Sequence, residues 1–157
     1  MTGELRGRVP EIDLDLERRV QEACLKSIQA GLVESAHDCS DGGLITALAE
    51  CCFSSYRRDA IGCEVSLKNV KSSGAAELSS AALLFAETPS RIILSAVDAN
   101  IDQIVQIAAE NNVPATVIGR TRGERIKVDL NGERVIDLPI TEVEEAWRSH
   151  LAGILQK

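Results

Sequence analysis

Ala36-His37-Asp38-Cys39-Ser40-Asp41-Gly42-Gly43-Leu44, running directly into Ile45-Thr46-Ala47-Leu48-Ala49-Glu50-Cys51-Cys52, is the stretch whose reading decides the fold. A short strand ends in two carboxylates and two adjacent glycines, and an apolar helix begins at once. α/β proteins often handle phosphate or a metal ion where a strand hands over to a helix, because backbone N–H groups and the helix dipole converge there. Asp38 and Asp41, three positions apart, can share a Mg²⁺ or a ribose hydroxyl. Gly42 and Gly43 let the backbone approach a phosphate. The same residues also suit a purely structural turn, in which Asp41 or Ser40 caps the helix. Neither Gly-x-Gly-x-x-Gly nor Gly-Lys-Ser/Thr is present, so this is neither a dinucleotide fingerprint nor a P-loop.

Working outward, residues 1–12 read as an extended lead-in, a linker from an upstream subdomain, with the domain proper at 13–157. Asp13 caps a helix to about Leu32, with Leu16, Val20, Cys24, Ile28 and Leu32 on one face and Gly31 at its end. The apolar helix after the motif is expected from Gly43 to about Tyr56. Ile61 to Leu67 alternates as a strand. Residues 68–74 form a polar loop and 75–84 an Ala- and Ser-rich helix. Arg91 to Val97 reads as a buried strand. A helix over 101–111 follows, started by Asp98 or Asn100, with Ile104, Ile107 and Ala108 inward. Residues 115–120 form a strand.

Residues 125–130 and 134–138 pair across Asn131-Gly132, a strong hairpin signal. A last helix spans about Ile140 to Leu155, with Thr141 as cap, Glu144 completing a capping box, and Trp147 on the sheet. The order is α-β-α-β-α-β-α-β-β-β-α. The predicted class is α/β (α+β), a three-layer α/β/α arrangement with a mixed sheet, partly ferredoxin-like.

Bulk properties fit one globular domain. The chain has 157 residues, 45% hydrophobic and 26% charged, and only 3% aromatic, so Leu, Ile, Val and Ala must build the core. The net charge of −7, with Lys and Arg scattered along the chain, argues against a nucleic-acid surface. No stretch approaches the roughly 18 apolar residues needed to span a bilayer. The five cysteines include no Cys-x-x-Cys and read as reduced packing thiols of a cytoplasmic protein. Cys39 stands apart because it lies inside the acidic, glycine-rich loop.

A second polar cluster, Leu84-Phe85-Ala86-Glu87-Thr88-Pro89-Ser90-Arg91, precedes a strand. It suits a substrate loop bonding sugar hydroxyls, or an ordinary solvated loop. Of the two histidines, His37 suits a general base, a phosphate ligand or a histidine bonded to a backbone carbonyl. His150 falls late in the last helix, where a cation suits the dipole.

Together the two segments resemble the phosphoribosylformylglycinamidine synthase family. Its final domain carries Ala-His-Asp-x-Ser-Asp-Gly-Gly-Leu-x-x-Ala-Leu-Ala-Glu, which residues 36–50 match throughout. Its Leu-Phe-Gly-Glu-Ser-x-Ser-Arg is met here at Leu84-Phe85, Glu87 and Ser90-Arg91, with Ala86 for glycine and Thr88 for serine. The resemblance implies the last C-terminal subdomain of a two-halved synthetase, within an aminoimidazole ribonucleotide synthetase-like superfamily. That ligase of purine biosynthesis turns formylglycinamide ribonucleotide, ATP and glutamine-derived ammonia into the amidine.

The resemblance also places the catalytic histidine and the main Mg-ATP residues in N-terminal subdomains. This chain would then hold no catalytic residue, and its metal site stays unassigned. Asp38, Ser40, Asp41, Gly42, Gly43, Glu87 and Thr88 become the substrate- or nucleotide-binding candidates. ATP and Mg²⁺ belong to the intact enzyme, with none assigned to this domain alone. The implied partners are the remaining synthetase subdomains and a glutaminase subunit or domain. Two alternatives stand beside this: a self-sufficient nucleotide- or phosphate-binding module, and a structural module whose exposed apolar face self-associates, as in a homodimer.

Overall fold

The computed structural model describes residues 11–55, 58–68 and 80–155. The described elements follow the expected order: α1 (Leu14–Gln29), β1 (Ser35–Asp38), α2 (Gly43–Cys52), β2 (Cys63–Leu67), α3 (Ser80–Phe85), β3 (Ile92–Ser95), α4 (Ile101–Glu110), β4 (Gly119–Thr121), β5 (Arg125–Leu130), β6 (Glu133–Pro139) and α5 (Ile140–Leu155). The loop expected at 68–74 and the start of the helix expected at 75 lie outside the described residues, apart from Lys68. The lead-in over residues 1–10 lies outside them too. The chain forms two compact units, Met1–Ser40 with Glu87–Ala115 and Asp41–Ala86 with Thr116–Lys157.

The first unit holds α1, β1, β3 and α4. Asp13 caps α1 as its type predicts, Oδ1 accepting from the N–H groups of Asp15 and Leu16 at 3.0 Å. The helix stops three residues earlier than expected. Gly31 N–H bonds Ile28 O at 2.9 Å and Leu32 N–H bonds Ser27 O at 3.1 Å, a Schellman close. Leu32 is therefore buried as the residue after the cap rather than as part of the helical stripe. The buried face of α1 is Val20, Ala23 and Ser27, and Ile28 is 46% exposed. Small residues on this face let α1 pack closely on α4, whose Ala108 is buried, and Lys26 Nζ donates to Asn111 Oδ1 at 2.6 Å.

β1 and β3 pair antiparallel in the register Ser35↔Ser95 to Asp38↔Ile92. They form a two-stranded sheet separate from the mixed one. β3 is shorter than the expected strand and only half-buried. A 3₁₀ turn over Asp98–Asn100 leads into α4, and Asn100, at the cap position of α4, makes no side-chain cap hydrogen bond.

The second unit is built on a four-stranded mixed sheet in the order β4-β2-β5-β6. β2 runs parallel to β5, and the two outer pairs are antiparallel. Alternation places Cys63, Val65, Leu67, Ile126, Val128 and Leu130 in the core. Ile61, expected at the head of that strand, lies outside it and is 43% exposed. Asn131 (φ 53°) and Gly132 (φ 88°) both take positive φ, the signature of the tight primed turn that their identities predict.

α2 packs against α3 and α5, burying Ile45, Ala47, Leu48, Ala49 and Cys52. It ends at Cys52, short of the expected Tyr56. α5 begins at Ile140, directly from β6, so Thr141 lies within the helix and is not its cap. Glu144 does not close a capping box. Its Oε1 accepts from Ser54 Oγ at 2.5 Å and from Arg148 Nη2 at 2.6 Å, and Arg148 Nη2 also donates to Ser54 O at 2.9 Å. Trp147 is half-exposed and meets the end of α2 instead of the sheet. Its ring lies 5.4 Å from Phe53, and Nε1 donates to Glu50 at 3.1 Å. No described helix is long and apolar enough to cross a membrane.

Val128 is fully enclosed, so Val128→Ala should lower the unfolding free energy by about 2 kcal/mol. Val135→Ala on the 40%-exposed edge strand should cost well under half of that, with urea midpoints as the readout. Ser54 first, and Arg148 second, hold the Glu144 carboxyl below the usual range. A folded pKa below the unfolded value, about 4.3, gives stability that is present above that pH and lost as pH falls through the folded pKa. Between pH 6 and pH 4 the urea midpoint of Glu144→Gln should fall less than that of the natural chain.

Candidate functional site

Both candidate segments contain a point where the chain passes from one unit to the other, at Ser40–Asp41 and at Ala86–Glu87. Asp38, Ser40, Glu87 and Thr88 belong to the first unit; Asp41, Gly42 and Gly43 belong to the second.

In the second unit, Asp41 is exposed and does not cap α2. The cap residue is Gly42, in the left-handed region at φ 77°, which has no side chain to offer. No acidic residue sits in the first turn of α2. Thr46 Oγ1 donates to Gly42 O at 3.0 Å, a bond to a carbonyl that caps none of the N–H groups of the first turn. Gly43 is also left-handed, at φ 72°, and is pressed against backbone. A Cβ there would lie 2.6 Å from Phe85 C and 2.9 Å from Ala86 O. The two segments singled out in the sequence therefore meet, main chain to main chain, at Gly43 and Phe85–Ala86. An uncapped helix start bearing two glycines is a surface that an anion can approach.

In the first unit, Asp38 ends β1 and is exposed. The Ser40 hydroxyl, and more weakly His37, hold its carboxyl below the usual range. His37 Nδ1–H donates to Asp38 O at 2.6 Å, so this histidine is a half-buried residue bonded to a backbone carbonyl. Cys39 is buried; its N–H bonds Arg91 O at 3.1 Å, and burial pushes its thiol up. That bond brings the first motif against the end of the second.

Glu87 and Thr88 are exposed on the loop before Ser90. Ser90 itself takes φ 62°, and its Oγ donates to Glu17 Oε2 at 2.7 Å. The Ser90 hydroxyl, followed by Gln21, holds the Glu17 carboxyl below the usual range. Glu17 lies on α1, 73 positions away, and no local signal in the sequence marks it as the anchor of this loop.

The family pattern has glycine where this chain has Ala86. Ala86 is not among the described residues of positive φ, so the position does not demand glycine. Its N–H continues α3 by bonding Ala82 O at 3.0 Å. Among the described residues no group of three or more His, Cys, Asp or Glu side chains is placed to hold a metal ion.

An α/β chain with this element order and these two polar segments, the first carrying Gly42 and Gly43, falls in a defined class. Residues 1–131 match the family described as AIR synthase related protein, C-terminal domain, and the chain belongs to that family. Among its relatives is the phosphoribosylformylglycinamidine synthase subunit PurL of Caldanaerobacter subterraneus subsp. tengcongensis, 37% identical over 155 residues, covering 99% of this chain and 20% of that protein. The corresponding PurL of Thermoanaerobacter sp. (strain X514) is 36% identical, with the same coverage. The chain thus spans about a fifth of the length of these curated relatives. The solved structure of Thermotoga maritima PurL complexed with FGAR superimposes with a TM-score of 0.76 at 21% identity, over 92% of this chain and 24% of that one. The same protein complexed with ATP gives a TM-score of 0.74. The fold is shared with both.

Gly43→Ala forces a Cβ into the Phe85–Ala86 backbone, which is not a flexible side-chain end that can swing away. It should cost about 2–4 kcal/mol, whereas Ala86→Gly should change stability by less than about 1 kcal/mol. Urea unfolding of both variants checks the contrast.

Proposed function

We propose that this chain is the AIR synthase-type C-terminal segment of a phosphoribosylformylglycinamidine synthase. The intact enzyme would use ATP, with Mg²⁺, and ammonia to convert formylglycinamide ribonucleotide to the amidine. The observation that carries this reading is the match of 99% of the chain to PurL at 36–37% identity, against only 20% of PurL's length. In that reading the segment contributes binding surface and contains no catalytic residue. Domain organisation follows the same line, with residues 1–12 linking to an upstream subdomain and 13–157 forming the domain.

Asp38, Ser40, Asp41, Gly42, Gly43, Glu87 and Thr88 are the residues we assign to ligand binding in the intact enzyme. The local geometry supports this. Asp38 and Ser40 form a polar pair at a strand end. Gly42 and Gly43 open a helix that carries no side-chain cap and no acid in its first turn, which suits a phosphate-bearing ligand. When bound, ATP supplies the phosphoryl group that activates the amide oxygen; the residues here bind and orient. Glu87 and Thr88, both exposed on their loop, are the residues we assign to sugar hydroxyls. The remaining synthetase subdomains and a glutaminase subunit are the proposed partners. A solved structure of PurLQS from Thermotoga maritima, similar to this chain at a TM-score of 0.68, supports a multi-subunit setting. The cytoplasm is the proposed location, in keeping with five cysteines of which none is in a disulfide.

The test replaces the matching fifth of Caldanaerobacter PurL with this chain. The chimera should form the amidine from formylglycinamide ribonucleotide, ATP and ammonia, while the 157-residue chain alone should not turn over. A folded chimera with no activity beside an active parent, or turnover by the chain alone, would overturn the reading.

A further inference from the structure

Cys52 closes α2 and Cys63 opens β2, and the two are 2% and 3% exposed. The backbone holds their elements side by side, since Ile61 N–H bonds Cys52 O at 2.9 Å. The Cys52 thiol donates its hydrogen to the Cys63 sulfur, which also receives the Lys127 backbone N–H. Lys127 is on β5, next to the strand residue that pairs with Cys63. Two donors thus converge on one sulfur. Sharing the proton, and burial after it, pushes the Cys52 thiol up; the hydrogen bond from Cys52 draws the Cys63 thiol down. Cys51, the neighbouring thiol, is half-buried and in no disulfide.

We infer that Cys52 and Cys63 form a dithiol–disulfide modification site, oxidised by a hydroperoxide and distinct from the residues assigned to ligand binding. The Cys63 thiolate attacks one peroxide oxygen and the O–O bond breaks. Sulfur is oxidised to a sulfenic acid, and the departing oxygen leaves as water after taking up a proton. The Cys52 sulfur then attacks the Cys63 sulfur, an S–S bond forms, the S–O bond breaks, and a second water leaves with the Cys52 proton. In sum, two thiols and one hydrogen peroxide give one disulfide and two waters. The bridge ties the end of α2 to the start of β2, between which the described residues Ser55, Arg58, Asp59 and Ile61 are exposed.

The full natural chain is treated with hydrogen peroxide under native conditions, blocked with an alkylating reagent and digested with trypsin. Cleavage beside Arg57 and Arg58 separates the two cysteines, so a bridge appears as a joined peptide pair lacking two hydrogens. The expected pair links Cys52 to Cys63, disappears with dithiothreitol, persists in Cys51→Ser and is lost in both Cys52→Ser and Cys63→Ser. The joined form should also resist cleavage within 53–62 more than the reduced form. Cys52 and Cys63 remaining fully alkylatable, after unfolding, at a peroxide level that oxidises Cys51 overturns the inference. So does a bridge from Cys63 to Cys51, or one that forms only in urea. If either serine variant fails to fold, the peptide map of the natural chain and of Cys51→Ser decides.

Discussion

The missing side chain at Gly43 is the constraint on which the candidate site depends. It lets the first residue of α2 rest directly on the carbonyl carbon of Phe85 and the oxygen of Ala86. Two stretches some forty positions apart are thereby set as one backbone surface. A methyl group at Gly43 would displace one of them, because neither contact is with a flexible side chain. The left-handed φ of both Gly42 and Gly43 supplies the sharp change of direction from the acidic turn into the helix. The same two residues thus set the turn and the contact, and α2 buries most of its apolar length behind them.

The sheet of the second unit carries a different kind of order. One face is apolar and buried, while the register of β2, β5 and β6 collects charges on the other. Glu64 is bridged by Arg122 and Lys127, Asp137 by Arg125 and Arg134, and Asp129 by Arg134. The carboxyls of Glu64, Asp129 and Asp137 are held below the usual range by Arg122, Arg134 and Arg125 respectively. Exposed pairs of this kind contribute little stability each. Their arrangement matters more for register, because a one-residue slip would carry every charge to the buried face. The basic residues look scattered along the sequence because strand pairing, not proximity in sequence, gathers them.

Much of the fold was legible because its signals are local. Asp13, the Gly31 stop, the Asn131-Gly132 turn and the alternation of Cys63, Val65 and Leu67 each act within a few residues. The element order followed from them. What failed was long-range. Ile28 fits a helical stripe on paper, yet α1 turns its small residues toward α4. Trp147 was read against the sheet and Glu144 against its own helix, but their partners are Phe53, Glu50 and Ser54 near the far end of α2. Asp41 has the right identity for a cap; Gly42 takes the position because the turn needs a left-handed residue there. In the candidate site the sequence marked both loops. It could not show that Gly43 touches Ala86, or that Glu17 holds Ser90.

The departure from glycine at position 86 illustrates how a motif is better read as geometry than as letters. Glycine in a binding loop suggests a left-handed residue or a backbone too close to ligand for a Cβ. Ala86 meets the first point by not being left-handed: it simply extends the hydrogen bonding of α3. The close approach at this place is made by Gly43, on the other segment, so the Cβ of residue 86 is not what limits it. The left-handed residue of the loop is Ser90, which is not a glycine. A non-glycine residue there costs on the order of 1 kcal/mol and persists only when its surroundings hold it. The hydrogen bond from Ser90 to Glu17 is such a restraint, and the conformation of the Glu87–Thr88 loop is therefore governed from α1.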